Sequence, residues 1–451
     1  MRLSETVVKQ SLLSLHEAAG IPPVPVEIHG KSGLLSSIYR VDVLAAASIG
    51  AASGAAAAYW ELRGGPKASV ELDLGHAESA FLSERFFKIA GNELELWADL
   101  SGDYRTRDGW VRLHCNFPAH RAAAVRALGG APDRDAVTAA CLERASLEVE
   151  DAVLAEGGAA AALRSRDEWA AFPHGPLVGL ESLADGPAVS SGGAASRPLE
   201  GVRVLDLTRV IAGPLATRTL AAYGADVLRV GAAHVPEVPG LVLDMSFGKR
   251  SCHLDLRTEA GRADLRALVA TADVLVQGYR PGALAALGFG PERLHELNPS
   301  LVSVDVSAYE PGSPWYARRG FDSLVQLATG LAHEAMLDAG TGRPVPLPAQ
   351  ALDHATGYLA AFAAVAGLIR RATDGGSWHA RLSLAGTARW LDSLGRRRPP
   401  APTTPPDDRI AAVDSPHGVL TFMLPPGRVS GWEPRWDSPP PLDGSSPPGW
   451  L

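Results

Sequence analysis

Between residues 199 and 306 the chain alternates short apolar runs with longer mixed segments, and this alternation limits the available folds more than any other feature. Residues 202–207 (VRVLDL) and 227–230 (VLRV) read as strands on either side of a helix-compatible stretch, IAGPLATRTLAAYGA. The pattern continues with a helix over 259–270, a strand over 274–277, a helix over 291–297 and a strand over 301–306. Such alternation predicts an α/β fold, with a parallel, Rossmann-like sheet and helices on both faces, joined by right-handed crossovers. Ligands of such sheets gather beyond the carboxyl ends of the strands. The loops 208–214, 279–282 and 307–321 are therefore where chemistry is to be sought. A nicotinamide dinucleotide is disfavoured: the first loop, Arg209-Val-Ile-Ala-Gly-Pro214, has one glycine where a G-x-G-x-x-G turn needs three, and VLRV is followed by Gly231 instead of an acid.

The first 200 residues have another texture. Residues 41–59 form a small-residue helix, 70–74 a short strand, and YRTRDGWVRLH (104–114) a hairpin with a two-residue turn at Asp108-Gly109. An internal repeat pairs residues 41–81 with 352–391, since in both an aspartate opens a long alanine-rich helix followed by a turn, a strand and a helix. Asp42 and Asp353 read as caps of those helices. Two breaks divide the chain: VSSGGAASRP at 189–198, small and polar, and RRRPPAPTTPPDD at 396–408, too rich in proline for helix or sheet interior. The expected organisation is a helical module at 1–95, a small α+β domain at 96–189, a linker at 190–198, a large domain at 199–395, and a proline-rich tether with a C-terminal arm at 396–451.

Composition narrows the partners. With 451 residues, 46% of them hydrophobic, the chain can bury a large core. No apolar run reaches 18 residues, because Ser48, Gly50, Ser53 and Gly54 interrupt the richest one, so no membrane span is expected. The opening MRLSETVVKQSLLSLHEAAG lacks the layout of an export signal. Cys115, Cys141 and Cys252 are odd in number and widely spaced, which suits a reducing cytoplasm and offers no metal-ligand pair. A net charge of −8 with dispersed cations gives no nucleic-acid footprint.

Three stretches then carry a specific resemblance: LEGVRVLDLTRVIAGPLATRTLAAYGADVLRV, GKRSCHLDLRTEAGRADLRALVATADVLVQGYRPGALAALGFG, and RRGFDSLVQLATG followed by DHATGYLAAFAAVAGLIRR. Over 199–391 the chain resembles the class III CoA transferases, the family of formyl-CoA and carnitine-CoA transferases and the methylacyl-CoA racemases. Its halves resemble two fused and partly reduced copies. The resemblance implies an interlocked homodimer, acyl-CoA and a small carboxylic acid as substrates, and no cofactor beyond coenzyme A itself. It implies that Val210, Ala212, Arg229, Lys249, Arg250 and Arg280 hold the ADP end of CoA; N–H groups and guanidinium forks suit phosphates. Gly213 and Pro214 are read as shaping the loop.

Asp322, in Gly320-Phe321-Asp322-Ser323, stands where the family has its covalent aspartate. Without the resemblance the residue reads as the N-cap of the helix that follows. With it, the residue is expected to form a mixed anhydride and then a thioester with CoA. The chain departs from the family's pattern at Gly231-Ala232-Ala233 and at Ser307-Ala-Tyr309-Glu-Pro. Phe321 stands where racemases carry histidine, and His174, His295 and His354 are read as surface or packing residues. A racemase or epimerase, and a CoA-binding homologue without catalysis, are the alternatives.

Overall fold

The computed structural model describes residues 2–189, 193, 195–401, 403–404 and 407–451. The linker expected over 190–198 and the tether from 396 therefore lie partly outside the described residues.

The largest sheet has seven strands: β1 (Gly179–Ala184), β2 (Arg203–Leu207), β3 (Asp226–Gly231), β4 (Lys249–His253), β5 (Val274–Gln277), β6 (Val302–Ser307) and β7 (Ser377–Ser383). Their spatial order is β4-β3-β2-β5-β6-β7-β1. All neighbours are parallel except β7 and β1, which run antiparallel. The chain winds outward in one direction from β2 and in the other from β5, so the crevice between these two central strands is the switch point at which such sheets bind ligands. Runs such as Val204-Leu205-Asp206-Leu207 are buried throughout, as expected for strands covered on both faces.

Two strands were not legible in the sequence. β4 reads KRSCH because its Lys249 lies inside the sheet's cover with its charge answered by Asp206 of β2. β1 is the half-exposed antiparallel edge and has no apolar run. The hairpin at 104–114 does form, pairing Gly102–Arg105 with Trp110–Leu113, but the connection has four residues, not two. Thr106 N–H donates to Gly109 O, Gly109 N–H donates to the Thr106 hydroxyl, and Asp108 accepts from Ser146 N–H, which together favour the wider turn.

Two long helices form the centre of the core. α1 (Val41–Leu62) and α4 (Ala351–Thr373) pack against each other, and α4 also lies on α2 (Ala212–Ala222). By length and composition both long helices could cross a membrane, but here they are enclosed by the rest of the chain. Alanine and glycine let the axes approach closely. A Cβ on Gly357 of α4 would stand 2.6 Å from the Ala212 carbonyl oxygen at the start of α2.

Around this core sit smaller pieces. Gly102–Arg105, Trp110–Leu113 and Ala160–Ala162 make a three-stranded sheet covered by helices Pro118–Leu128, Arg134–Leu142 and Ser146–Ala155, with its own core around Val111, Cys141 and Val153. The hairpin Ile410–Ser415 with Gly418–Met423 pairs with Lys88–Ile89. Beyond it the arm lies against its own chain: Arg428–Val429 pairs with the strand Val70–Asp73, and Asp443 reaches Arg229.

Candidate active site

A cavity of roughly 510 Å³ opens at the switch point. Loop 209–213 after β2, Gly278–Pro281 after β5, Val306–Ala308 at the end of β6, and Arg318–Phe321 supply most of its wall, with Asp353 from α4 and Leu384. Phe117 to His120 of the small unit close the remaining side. The small unit docks here by stacking: the His114 ring lies parallel to Phe321 with centroids 3.6 Å apart, and Phe117 stacks on the same phenyl at 6.0 Å. Residues more than 200 positions apart in the sequence thus share one wall, a proximity that no local pattern announces.

The β2–α2 loop is shaped from beneath. Val210 has φ 72°, a left-handed conformation that a β-branched residue adopts at a cost of about 1–3 kcal/mol. What holds it is a buried network. Asp206 at the end of β2 accepts from Lys249 Nζ at 2.8 Å, from Thr217 Oγ1 at 2.7 Å and from the Thr208 hydroxyl, while Lys249 also donates to Pro214 O at 2.9 Å. The result presents Val210, Ala212 and Gly213 to the cavity. The first-turn N–H groups of Ala212 and Gly213 have no partner among the described residues, as helix geometry dictates for an open N-terminus.

Cations dominate the rim. Arg209, Arg280, Arg318 and Arg319 all line the cavity. Arg209 is held by Glu237 and Arg318 by Glu150. Arg280 and Arg319 have no ion pair among the described residues, and the Arg280 charge adds to burial in lowering the pKa of Arg319. Burial, reinforced by Arg319, Arg209 and Arg280, pushes His120 down to about 4, so that ring is neutral at physiological pH. A cluster of like charges around one opening is offset most readily by an anionic ligand.

Of the residues expected to hold CoA phosphates, Val210, Ala212 and Arg280 therefore meet at the cavity, and three do not. Lys249 has no exposed side-chain surface and is bound to Asp206; burial, opposed by that carboxylate, brings its pKa down to about 8. Arg229 is shared between Glu237 at 3.1 Å and Asp443 at 2.6 Å. Arg250 is bidentate to Asp226 and donates to Gly449 O at 2.6 Å. Each of the three is already engaged by a carboxylate of this chain, Lys249 by Asp206, Arg229 by Glu237 and Asp443, and Arg250 by Asp226. Arg209, Arg318, Arg319 and His120 were missed: Arg209 and the Arg318-Arg319 pair were visible as cations in the flagged loops, whereas His120 gave no signal.

Asp322 is the first residue of helix α3 (Asp322–Ala328), and Phe321 takes the N-cap position. A close approach of Gly320 to Ala308 sets the turn that precedes it. The Asp322 carboxylate is fully buried and does not cap its own helix. Instead Oδ2 accepts from Leu352 N–H at 2.7 Å and Asp353 N–H at 3.0 Å, the open first turn of α4, and Oδ1 accepts from the Gln326 amide. Gln326 is in turn fastened by Leu347 N–H at 2.7 Å. The capping role expected of Asp353 thus belongs to Asp322, and Asp353 instead faces the cavity. His354, expected as a packing residue, is buried and paired with Glu84 at 3.0 Å. His295 bonds Ser377 at 2.7 Å, and His174 is exposed.

Residues 199–394 match the model of the family described as CoA-transferase family III. Among the curated relatives, the human succinyl-CoA:glutarate CoA-transferase is 34% identical over 191 residues, 40% of this chain and 43% of that protein. An acyl-CoA transferase of Gibberella moniliformis is 31% identical over 311 residues, covering 62% of this chain and 54% of its own. A crystal structure of the Mycobacterium tuberculosis protein Rv3272 superposes with a TM-score of 0.39 at 33% identity, covering 44% of this chain and 58% of that one. The chain spans about half the length of the curated relatives it matches.

Proposed function

We propose that the chain is a CoA transferase that moves CoA from an acyl-CoA donor to a carboxylic acid, with Asp322 as the covalent carrier. The position of Asp322 supports this most directly: it stands at a loop-to-helix junction beyond the carboxyl end of β6, directly behind a cavity rimmed by four arginines. The open N-terminus of α2 with Arg280 and Arg319 suits the phosphates and carboxylates of such substrates. Asp322 leaves its N–H donors on α4 and attacks the thioester carbonyl; the released CoA thiolate converts the resulting anhydride to an aspartyl-CoA thioester, and the acceptor acid reverses the steps. One thioester is exchanged for another, so neither ATP nor a metal is required.

With acyl-CoA supplied and acceptor withheld, hydroxylamine should trap a hydroxamate on the peptide holding Asp322. Asp322→Asn should bind CoA and lose transfer by about 10³-fold or more, because an amide is a far poorer nucleophile. Transfer by that variant at near wild-type rate, without deamidation, rules the mechanism out.

A second reading, a CoA-binding homologue without transfer, is favoured by the complete enclosure of Asp322, and CoA binding without any aspartyl adduct would establish it. The homodimer implied by the resemblance also has a rival. His120 and Phe117 complete the cavity from within one chain, and the C-terminal arm lies on its own chain, both of which support a single-chain pseudo-dimer. Sedimentation at micromolar concentration separates the two. A cytoplasmic location is proposed from the three unpaired cysteines, all buried.

A further inference from the structure

β3 and β4 carry a second set of converging groups, none of which lines the cavity. Asp443 of the C-terminal arm accepts through Oδ1 from Arg229 Nη1 at 2.6 Å and from Ser251 Oγ at 3.1 Å, and its Oδ2 lies 3.0 Å from His253 Nε2. The arm is pinned in register there. Gly444 has φ 69°, and a Cβ on it would stand 2.6 Å from the His253 ring. Arg229 donates through its other guanidinium nitrogen to Glu237 Oε1 at 3.1 Å, and that same oxygen accepts from Arg209 Nε at 3.2 Å. Arg209 lines the cavity and has no other carboxylate partner among the described residues. Four alternating charges, Asp443, Arg229, Glu237 and Arg209, thus lead from the arm to the cavity rim.

One oxygen that serves two guanidinium groups divides its field between them. Burial raises the Glu237 pKa, against the pull of Arg209 and Arg229, so its ionised form depends on the cations it keeps. The Arg229 side chain is only 7% exposed, and without Asp443 its one remaining carboxylate partner among the described residues is Glu237. A buried guanidinium draws its last counter-charge closer, because the alternative is an unpaired buried ion. Glu237 therefore has two arrangements, and both the arm and the cavity bias them.

We propose that Asp443 and Glu237 are positioning residues for Arg209: with the arm seated, Asp443 satisfies Arg229 and leaves Glu237 to Arg209, and when Asp443 lets go, Glu237 turns to Arg229 and releases the Arg209 charge to an anionic ligand in the cavity. The seated arm holds the cavity in its state of lower anion affinity. The inference rests on the reading that the cavity takes a CoA ester.

Calorimetry of CoA binding to the full chain tests it. Asp443→Ala should tighten binding by about fivefold or more, the ordinary size of a coupling between sites. Asp437→Ala removes an equal charge from the same arm, where Arg197 holds it, and should leave the affinity unchanged. Glu237→Gln should itself tighten binding, and adding Asp443→Ala to Glu237→Gln or to Arg209→Ala should give no further gain, within about twofold. A contact that served structure alone would loosen binding on removal or leave it as it was. The inference is overturned by an Asp443→Ala variant without gain, by a gain that survives in either background, or by equal tightening from Asp437→Ala, which would reduce the effect to net charge. If Asp443→Ala does not fold, Glu237→Gln decides, and unchanged or weakened affinity overturns the inference. A wild-type chain that fails to bind CoA sinks the CoA reading; the same series with inorganic diphosphate as the anion then decides this inference, and a chain that binds neither overturns both.

Discussion

The segments 41–80 and 351–393 run through the same order, a long buried helix, a short strand and a second helix, yet only the second contributes to the 510 Å³ cavity. Each helix carries a buried aspartate near its start. In the first, Asp42 is paired with Arg397 at 2.7 Å; in the second, Asp353 has no side-chain partner among the described residues. Each segment is also tied to a buried carboxylate that collects backbone N–H groups. Glu78 accepts from Gly33, Leu34 and Leu35, and Asp322 accepts from Leu352 and Asp353. The strands part company: Val70–Asp73 joins a separate three-stranded sheet, whereas Ser377–Ser383 extends the large one. Similar local sequence therefore produces similar elements, and the chemistry depends on which charges the rest of the fold brings to them. A cation makes Asp42 structural. Its absence leaves Asp353 available.

The largest expected effect removes that difference. Arg397→Ala leaves Asp42 buried and unpaired, and should cost about 3–5 kcal/mol at pH 8 by chemical denaturation. The loss should vanish when Arg397→Ala is made in an Asp42→Asn background. An equal loss in the Asp42→Asn background would show that Arg397 acts through packing, not charge.

A smaller effect comes from the helix surfaces. Gly357→Ala places a Cβ 2.6 Å from a backbone carbonyl and 3.0 Å from Leu215 Cβ, neither of which can yield without moving α2 and its cavity loop. About 1–3 kcal/mol of stability and much of the CoA affinity should be lost. Gly50→Ala in the first helix meets only the Leu12 side-chain methyls at 3.2 Å and should cost under about 1 kcal/mol, with CoA binding intact. Similar costs at the two positions would break the asymmetry drawn between the segments.

The smallest effect is in the pH dependence of stability. The folded-state pKa of Asp353 lies above its unfolded value, so its contribution to stability is fully present below about pH 4 and declines as pH rises toward the folded pKa. Asp353→Asn should thus match the wild type at pH 3 and be the more stable of the two at pH 8. The opposite sign at pH 8 would mean that Asp353 is ionised and paired in solution.

Much of the large domain was legible because its strands are continuous apolar runs set between amphipathic helices, a pattern created by burial on both faces. β4 was not, since a lysine inside a strand is admissible only when a distant residue, here Asp206, supplies the counter-charge. The site was legible in part for the same reason. Loops after β2, β5 and β6 could be named as chemical positions from strand order alone, and Val210, Ala212 and Arg280 lie there. Arg229 and Arg250 could not be excluded in advance, because their partners Asp443, Glu237 and Asp226 give no sign in sequence of whom they will meet.

Periodicity, turn residues and helix-compatible stretches depend on a few neighbouring positions, and from them the sequence by itself determined the strand and helix alternation, the repeated module and the loops that line the cavity. Only the tertiary structure decided that Asp322 would cap α4 and Asp353 face the cavity, and that the small unit's His120 would complete the wall. Those outcomes depend on Coulomb energies and hydrogen bonds between groups tens to hundreds of residues apart, which fall off over a few ångströms and so exist only once the chain has brought the groups together.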